Sequence, residues 1–274
     1  MPEGPEIYRV ARQVAERVER KPLTELWFGL ARPAEAAKVL AGQQIQAVET
    51  RGKALLLKFE SDHVVYTHNQ LYGRWMFAKP DRRPDTRRQL RLAISTGTDS
   101  ALLYSASDIE VLGPEQLTSH PFLARVGLDI LSSGAEPAAI KDWVSQPRYA
   151  GRQLAHLLLD QSFLAGVGNY LRSEILFLAG LAPEQRLRDL DEKARQRLAD
   201  AVHTLMWRSV KTAGVTNAPD LVRELKNAGW RRRDYRHYVF SREGQACHQC
   251  DSPILRTTIS TRRLYHCPHC QPSA

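Results

Sequence analysis

The chain has few of the residues that would place it in an oxidising compartment or in a bilayer. Only four of its 274 residues are cysteines, the first of them Cys247, so a small secreted scaffold stapled throughout by disulfides is excluded. No apolar run approaches the roughly 20 residues that cross a bilayer. The longest, around Ile175-Leu176-Phe177-Leu178-Ala179, is far too short. The N-terminus carries Glu3 and Glu6 and lacks an apolar core segment, so no signal peptide is expected and the chain reads as soluble and cytoplasmic. Negative charge is also scarce: thirty Asp plus Glu against thirty-nine Lys plus Arg leave +9 and a pI near 9.6. That deficit points to a polyanionic partner, although a ribosomal or membrane surface would satisfy the same sign. The hydrophobic fraction of 43% suffices for a core, and the length suggests two domains rather than one.

The first six residues, Met1-Pro2-Glu3-Gly4-Pro5-Glu6, carry chemistry if Met1 is removed. Pro2 then presents a secondary α-amine. Such an amine titrates at about pH 8, well below a lysine at about 10.4, so far more of it than of a lysine is the unprotonated nucleophile at neutral pH. Its attack on an aldehyde-like carbon gives an iminium, a cationic electron sink. Glu3 places a carboxyl group beside it, suited to proton transfer. A plainer reading makes Pro5 the first residue of a helix, with Glu3 and Glu6 favouring its N-terminus. On these residues alone the plainer reading is preferred.

From 5 to 20, Ile7, Val10, Ala11, Val14, Ala15 and Val18 recur at helical spacing. After Lys21-Pro22 the pattern predicts short strands at 23–28, 44–49, 54–59, 64–68, 74–78, 90–95 and 101–105, hence a β-sandwich or flattened barrel. Leu90, Leu92 and Ile94 alternate with Arg91, Ala93 and Ser95, as in a strand with one buried face. Lys53 follows Arg51-Gly52 at a strand start, where it is either a solvated lysine or a cation aimed from the sheet edge. Gln70-Leu71-Tyr72-Gly73 reads as a hairpin tip bearing large apolar groups. Such a tip is either tucked under a neighbour or built to wedge into a base stack.

The β pattern fades into turns over 113–134, and helices are predicted at 137–144, 153–159, 169–179 and 191–211. The third follows Gly166-Val167-Gly168, whose amides would be free to meet an anion, with Asn169 as N-cap. No structure is assigned to 217–227. Arg231, Arg232, Arg233 and Arg236, among Trp230, Tyr235 and Tyr238, either face phosphates or are simply solvated.

The cysteines form two Cys-x2-Cys knuckles, Cys247/Cys250 and Cys267/Cys270, sixteen residues apart. That spacing fits a tetrahedral four-thiolate zinc site. Two disulfides are the alternative, and a reducing compartment disfavours them. Four protein ligands leave no position open for water, so the zinc is structural. Between the knuckles, 255–260 and 264–266 read as strands around a tip of Thr261-Arg262-Arg263, and an arginine there can bind a phosphate bidentately.

Taken in order, Met1-Pro2-Glu3-Gly4-Pro5-Glu6-Ile7, Thr50-Arg51-Gly52-Lys53-Ala54-Leu55-Leu56, His68-Asn69-Gln70-Leu71-Tyr72-Gly73, Leu103-Tyr104-Ser105-Ala106-Ser107-Asp108-Ile109-Glu110, Asp160 to Arg172 and the terminal cysteines resemble the formamidopyrimidine-DNA glycosylase and endonuclease VIII family of base-excision repair enzymes. The likeness spans essentially the whole chain and looks closest to the endonuclease VIII branch; Gly4 stands where the other branch usually has leucine. It implies an α+β multidomain fold: an N-terminal helix plus β-sandwich over 1–128, a linker at 129–136, a helix-two-turn-helix domain over 137–236 and a zinc-ribbon hairpin over 237–272.

The same resemblance implies a bifunctional glycosylase and AP lyase that removes oxidised pyrimidines from double-stranded DNA. Pro2 matches the nucleophile at C1′, Glu3 the acid/base, Lys53 the proton donor linked to β-elimination and Arg262 the arginine linked to δ-elimination. Gln70, Arg125 and Asn169 match DNA-contacting positions, and Gln70, Leu71 and Tyr72 the group that fills the void left by a flipped base. Cys247, Cys250, Cys267 and Cys270 match the ligands of one structural Zn2+. A monomer in a bacterial cytoplasm, associated with the nucleoid through DNA, is expected. Thr212 to Arg236 departs from the family pattern, being longer and richer in arginine. The rival readings are a purine-directed enzyme of the sister branch and a non-catalytic zinc-ribbon DNA-binding protein.

Overall fold

The structure is a computed structural model that describes residues 2–272; the expected removal of Met1 concerns a residue outside them. The chain divides into two compact units, one ending at Arg125 and the other beginning at Val126.

The first unit opens with α1 (Gly4–Val18), which starts one residue and ends two residues earlier than the periodicity suggests. Pro5 sits at its second position, where the missing N–H has no intrahelical partner to lose. The amide of Glu3 donates to Glu6 Oε2 at 3.0 Å, so Glu6 is spent on closing the helix start. Ile7, Ala11, Val14 and Val18 form the buried face of α1. After α1 come β1 (Leu23–Phe28), α2 (Ala31–Ala36), β2 (Ile45–Arg51), β3 (Ala54–Phe59), β4 (Val64–His68), β5 (Arg74–Ala78), β6 (Leu90–Thr96), β7 (Ser100–Tyr104), β8 (Asp108–Leu112) and α3 (Pro114–Ser119). The strands pair antiparallel in two separate four-stranded sheets, ordered β2-β3-β4-β8 and β1-β6-β7-β5, which is a sandwich and not a closed barrel. The apolar face of α1 packs with Ile45, Leu55, Leu57, Val65, Leu92, Ile94 and Leu103 in one core.

Three sequence expectations change here. Residues 31–36 and 114–119, assigned to no helix, form α2 and α3, both too short for a helical period to show. Strand β6 buries both faces, Ala93 and Ser95 being as buried as Leu92 and Ile94, and a register shift between Leu90 and Leu92 turns Leu90 away from the main core. Leu90 packs instead with Ala93, Leu102 and Tyr104, while Leu92 and Ile94 stay in the main core. Residues 69–73 do not close a hairpin: β4 pairs with β3 and β8, β5 pairs with β7, and the segment carries the chain from one sheet to the other.

The second unit contains α4 (Ile130–Ser133), α5 (Pro137–Val144), α6 (Leu154–Leu157), α7 (Asn169–Ala179), α8 (Glu192–Thr212), α9 (Pro219–Asn227) and α10 (Arg232–Tyr235), followed by the hairpin β9 (Leu255–Ile259) and β10 (Arg262–His266). The unassigned stretch thus holds a helix opened by Pro219, and α4 lies within a segment expected to be turns. In α7 every residue except Asn169 and Leu178 is buried, and it packs on both α8 and β10. The hairpin turn is Ser260-Thr261, both at positive φ (47° and 63°), the twist a two-residue connection requires. Arg262 and Arg263 are therefore the first two residues of β10 rather than its tip, with Arg262 opposite Ile259. Among the described residues no helix is long and apolar enough to cross a membrane.

The crossover segment is sterically closed at Gly73. Its amide donates to the Asn69 carbonyl at 2.7 Å, and a Cβ there would stand 2.6 Å from that oxygen and 2.7 Å from Asn69 Cα. Gly73→Ala is expected to lower stability by about 1–3 kcal/mol, read from the urea midpoint. Gly97→Ala, whose Cβ meets nothing within 4 Å, is expected to be close to neutral.

Candidate active site and nucleic-acid interface

In the first unit Pro2 is half-buried just before α1, and Glu3 is 4% exposed at its N-cap. With Pro2 as the amino terminus, a carboxyl group so withdrawn from water on the next residue would be suited to exchanging a proton with a group held on that nitrogen. Lys53 is half-buried in the turn between β2 and β3. The register places Ala54 opposite His68 and His68 opposite Asp108, so Lys53, His68 and Asp108 share one end of the sheet. Burial lowers the His68 pKa first, the Asp108 charge opposes that shift and the Lys53 charge adds to it. The neutral ring accepts the Gln70 amide at Nδ1, 3.1 Å away.

The crossover segment displays its large side chains to solvent, Leu71 at 59% and Tyr72 at 70% exposure, so the tucked-under alternative does not hold. It is braced from beneath. Gln70, at φ 49°, accepts the Ser107 hydroxyl at Oε1 (3.0 Å), and its Nε2 reaches Asp108 Oδ2 at 3.5 Å. Arg88 Nη1 donates to the Tyr72 carbonyl at 2.6 Å. Arg125 is exposed, its Nε bonded to the Pro121 carbonyl at 2.9 Å.

In the second unit Asn169 is not the N-cap of α7. Gly168 takes that position in extended backbone, which releases the Asn169 side chain to reach the hairpin. Asn169 Nδ2 donates to the Arg263 carbonyl at 2.8 Å, and its Oδ1 accepts Arg172 Nη2 at 2.9 Å. Arg172, fully buried, also donates to the carbonyls of Arg263 (3.2 Å) and Ala155 (3.0 Å). Ser173 Oγ accepts the Tyr265 amide at 3.2 Å. The Gly-rich turn before α7 is less open than expected, because the Gly166 amide donates to Gln161 Oε1 at 3.0 Å. Arg262 and Arg263 are exposed.

The four cysteine sulfurs lie within 4.8 Å of one another and form the one metal-capable group of three or more His, Cys, Asp or Glu among the described residues; His248, His266 and His269 are not part of it. Their separations include 3.4 Å for Cys250–Cys267 and 3.9 Å for Cys247–Cys270, against about 3.8 Å for the edge of a tetrahedron with metal–sulfur bonds of ~2.3 Å. No disulfide joins them. The amides of Gln249 and Cys270 point at Cys247 Sγ and Cys267 Sγ, 3.5 and 3.4 Å away, as suits thiolates.

Comparison with known proteins agrees with this arrangement. Residues 1–106 match the formamidopyrimidine-DNA glycosylase N-terminal domain, and residues 127–219 match the H2TH domain of the same enzymes. The chain belongs to the formamidopyrimidine-DNA glycosylase and endonuclease VIII family. It is 46% identical over 271 residues to Endonuclease 8 of Shigella sonnei and 45% identical to Endonuclease 8 of Escherichia coli K12, covering 99% of this chain and all of each relative. Among solved structures, a MutM in complex with DNA containing carbocyclic 8-oxo-G shares the fold at TM-score 0.79 and 21% identity. Lactococcus lactis formamidopyrimidine DNA glycosylase bound to AP-site DNA does so at 0.77 and 20%. Each comparison covers 99% of this chain and all of the other.

Within this family fold the structure adds a residue that the sequence reading missed. Glu174 is completely buried and accepts the amides of Tyr238, Val239 and Phe240, each at 2.8 Å, together with the Thr216 hydroxyl. Burial raises its pKa, and the four donors oppose that rise. The signal was available: Arg172-Ser173-Glu174 is a polar run inside an otherwise apolar helix. Glu174→Gln puts an amide donor against donors and is expected to cost about 2–4 kcal/mol, measured by urea unfolding. Acidification through the lowered His68 pKa protonates Nδ1 and breaks its bond to Gln70. The stability this bond contributes is present above pH ~6.5 and is lost as pH falls, because the unfolded state then binds more protons. Hydrogen exchange at the Gln70 amide, corrected for its intrinsic pH dependence, should report the loss.

Proposed function

We propose that this chain excises oxidised pyrimidines from double-stranded DNA through a Pro2 iminium and cleaves the backbone by β,δ-elimination. Its class is a bifunctional DNA glycosylase and AP lyase of base-excision repair, supported by full-length identity of 45–46% to Endonuclease 8 proteins. That identity is the observation that carries the reading, and it favours the endonuclease VIII branch over the purine-directed one.

Residue roles follow from chemistry. Phosphate contacts from Arg125, Asn169 and Arg262 hold the duplex while the damaged nucleotide turns out, at a cost of a few kcal/mol. The exposed Leu71 and Tyr72, with Gln70, occupy the vacated space. The Pro2 nitrogen bonds to C1′ and gives up its own proton as the glycosidic bond breaks, while the base leaves with the electron pair and takes up a proton. Glu3 supplies the proton that O4′ takes as the sugar ring opens. The resulting iminium acidifies C2′; loss of that proton expels the 3′ phosphate, with Lys53 as the proton donor linked to this step. A second elimination, assisted by Arg262, expels the 5′ phosphate.

Cys247, Cys250, Cys267 and Cys270 would hold one Zn2+, which stiffens the hairpin that carries Arg262 and takes no part in bond breaking. The protein acts as a monomer in the bacterial cytoplasm.

Borohydride should trap the protein covalently on duplexes containing thymine glycol through Pro2, and excision should be faster there than on 8-oxoguanine duplexes. A Pro2→Gly variant that nicks at the wild-type rate without being trapped removes Pro2 from the mechanism. Preference for 8-oxoguanine moves the chain to the purine-directed reading.

A further inference from the structure

The basic stretch from Pro219 to Arg236 has no part in the chemistry above. Between Pro219 and Arg236 there are six Lys or Arg against three Asp or Glu. We infer that Arg231 and Arg233, on either side of the start of α10 and next to the exposed Trp230, form an additional contact for the phosphate backbone of DNA. This rests on DNA being the ligand of the protein.

The two side chains are 70% and 71% exposed, and both reach the same carboxylate, Asp234, at 3.5 and 3.3 Å. One carboxylate between two guanidinium groups leaves a positive charge in excess. Exposed pairs of this kind add little to stability, so the fold does not require them. The frame beneath them is nevertheless firmly held. Arg232 Nη2 donates to the Ala213 carbonyl (2.6 Å), Arg236 Nε to the Gly214 carbonyl (2.8 Å), Asn217 Nδ2 to the Tyr235 carbonyl (2.9 Å) and the Trp230 amide to the Leu225 carbonyl (2.9 Å). Arg232 and Arg236 are thus spent on fixing the backbone while Arg231 and Arg233 project from it.

A merely solvated basic segment needs no such bracing. A site that presents two planar forks to an anion gains from it, because less freedom is lost on binding. Trp230 is 38% exposed, its ring 5.8 Å from that of His248 in the first cysteine knuckle. A large ring held in solvent beside cations is the composition that nucleic-acid surfaces use. The sign and extent of the charge select a polyanion over an apolar partner.

The test is the salt dependence of affinity for undamaged and for AP-site duplex, measured by fluorescence anisotropy from about 50 to 200 mM salt. The double variant Arg231→Gln, Arg233→Gln is expected to weaken binding to both duplexes alike and to lower the slope of log K against log salt by about 1–2, at ~0.9 per phosphate released. Asp234→Asn should do the reverse, tightening binding and steepening the slope, which a variant that only loosened the fold would not do. Slopes unchanged in both variants, with normal wild-type binding, overturn this inference alone. A wild-type protein that binds neither duplex overturns it together with the repair reading.

Discussion

Glu174 is the group on which the second unit hangs. Three consecutive amides, those of Tyr238, Val239 and Phe240, turn inward where no strand or helix can accept them, and a single carboxylate takes all three. Without it the segment would bury several donors with no partner, each costing about 1–3 kcal/mol. The same helix carries Asn169, Arg172 and Ser173, which hold the hairpin through the Arg263 carbonyl and the Tyr265 amide. One helix therefore fixes both the chain entering the first cysteine knuckle and the strand that carries Arg262. Nearby His237 is kept neutral by burial first and by the charges of Arg236, Arg232 and Arg242, so its Nδ1, 3.1 Å from the Thr216 hydroxyl, adds no cation to this interior.

The first unit solves a different problem, which is to keep Leu71 and Tyr72 in water. Left to themselves, large apolar side chains on a loop fold back onto the nearest core. Here Gly73 pins the segment to Asn69, Arg88 holds the Tyr72 carbonyl, and Ser107 with His68 fixes Gln70 in a left-handed backbone conformation. The segment can be held at both ends because it joins two sheets: β4 anchors one side and β5 the other. A hairpin tip would be tied to a single sheet. Exposure of Leu71 and Tyr72 is thus a property of the strand order.

Much of this was legible along the chain. The face of α1, the long helices α7 and α8, most strands and the paired knuckles each rest on a period or a spacing of a few residues, which is local information. The short helices α2 and α3 were not legible, because six residues are under two helical turns. Strand β6 was misread for a related reason: one extra residue between Leu90 and Leu92 puts Leu90 on the opposite face from Leu92 and Ile94, and nothing local marks it. Asn169 looked like a cap because asparagine is good at capping. Its actual partner, the Arg263 carbonyl, lies far along the chain.

By itself, then, the sequence determined the residue types at hand: Pro2 and Glu3 near one end, four cysteines near the other, an excess of positive charge, and a motif order shared with one repair family. Tertiary structure alone decided which side chains are spent inside and which remain in solvent. Asn169 and Arg172 are spent on the Arg263 carbonyl, Glu174 on the amides of Tyr238, Val239 and Phe240, and Leu71, Tyr72 and Arg262 remain in solvent. The division arises because a hydrogen-bond partner is chosen by proximity in space, and proximity between residues a hundred positions apart exists only once the chain has folded.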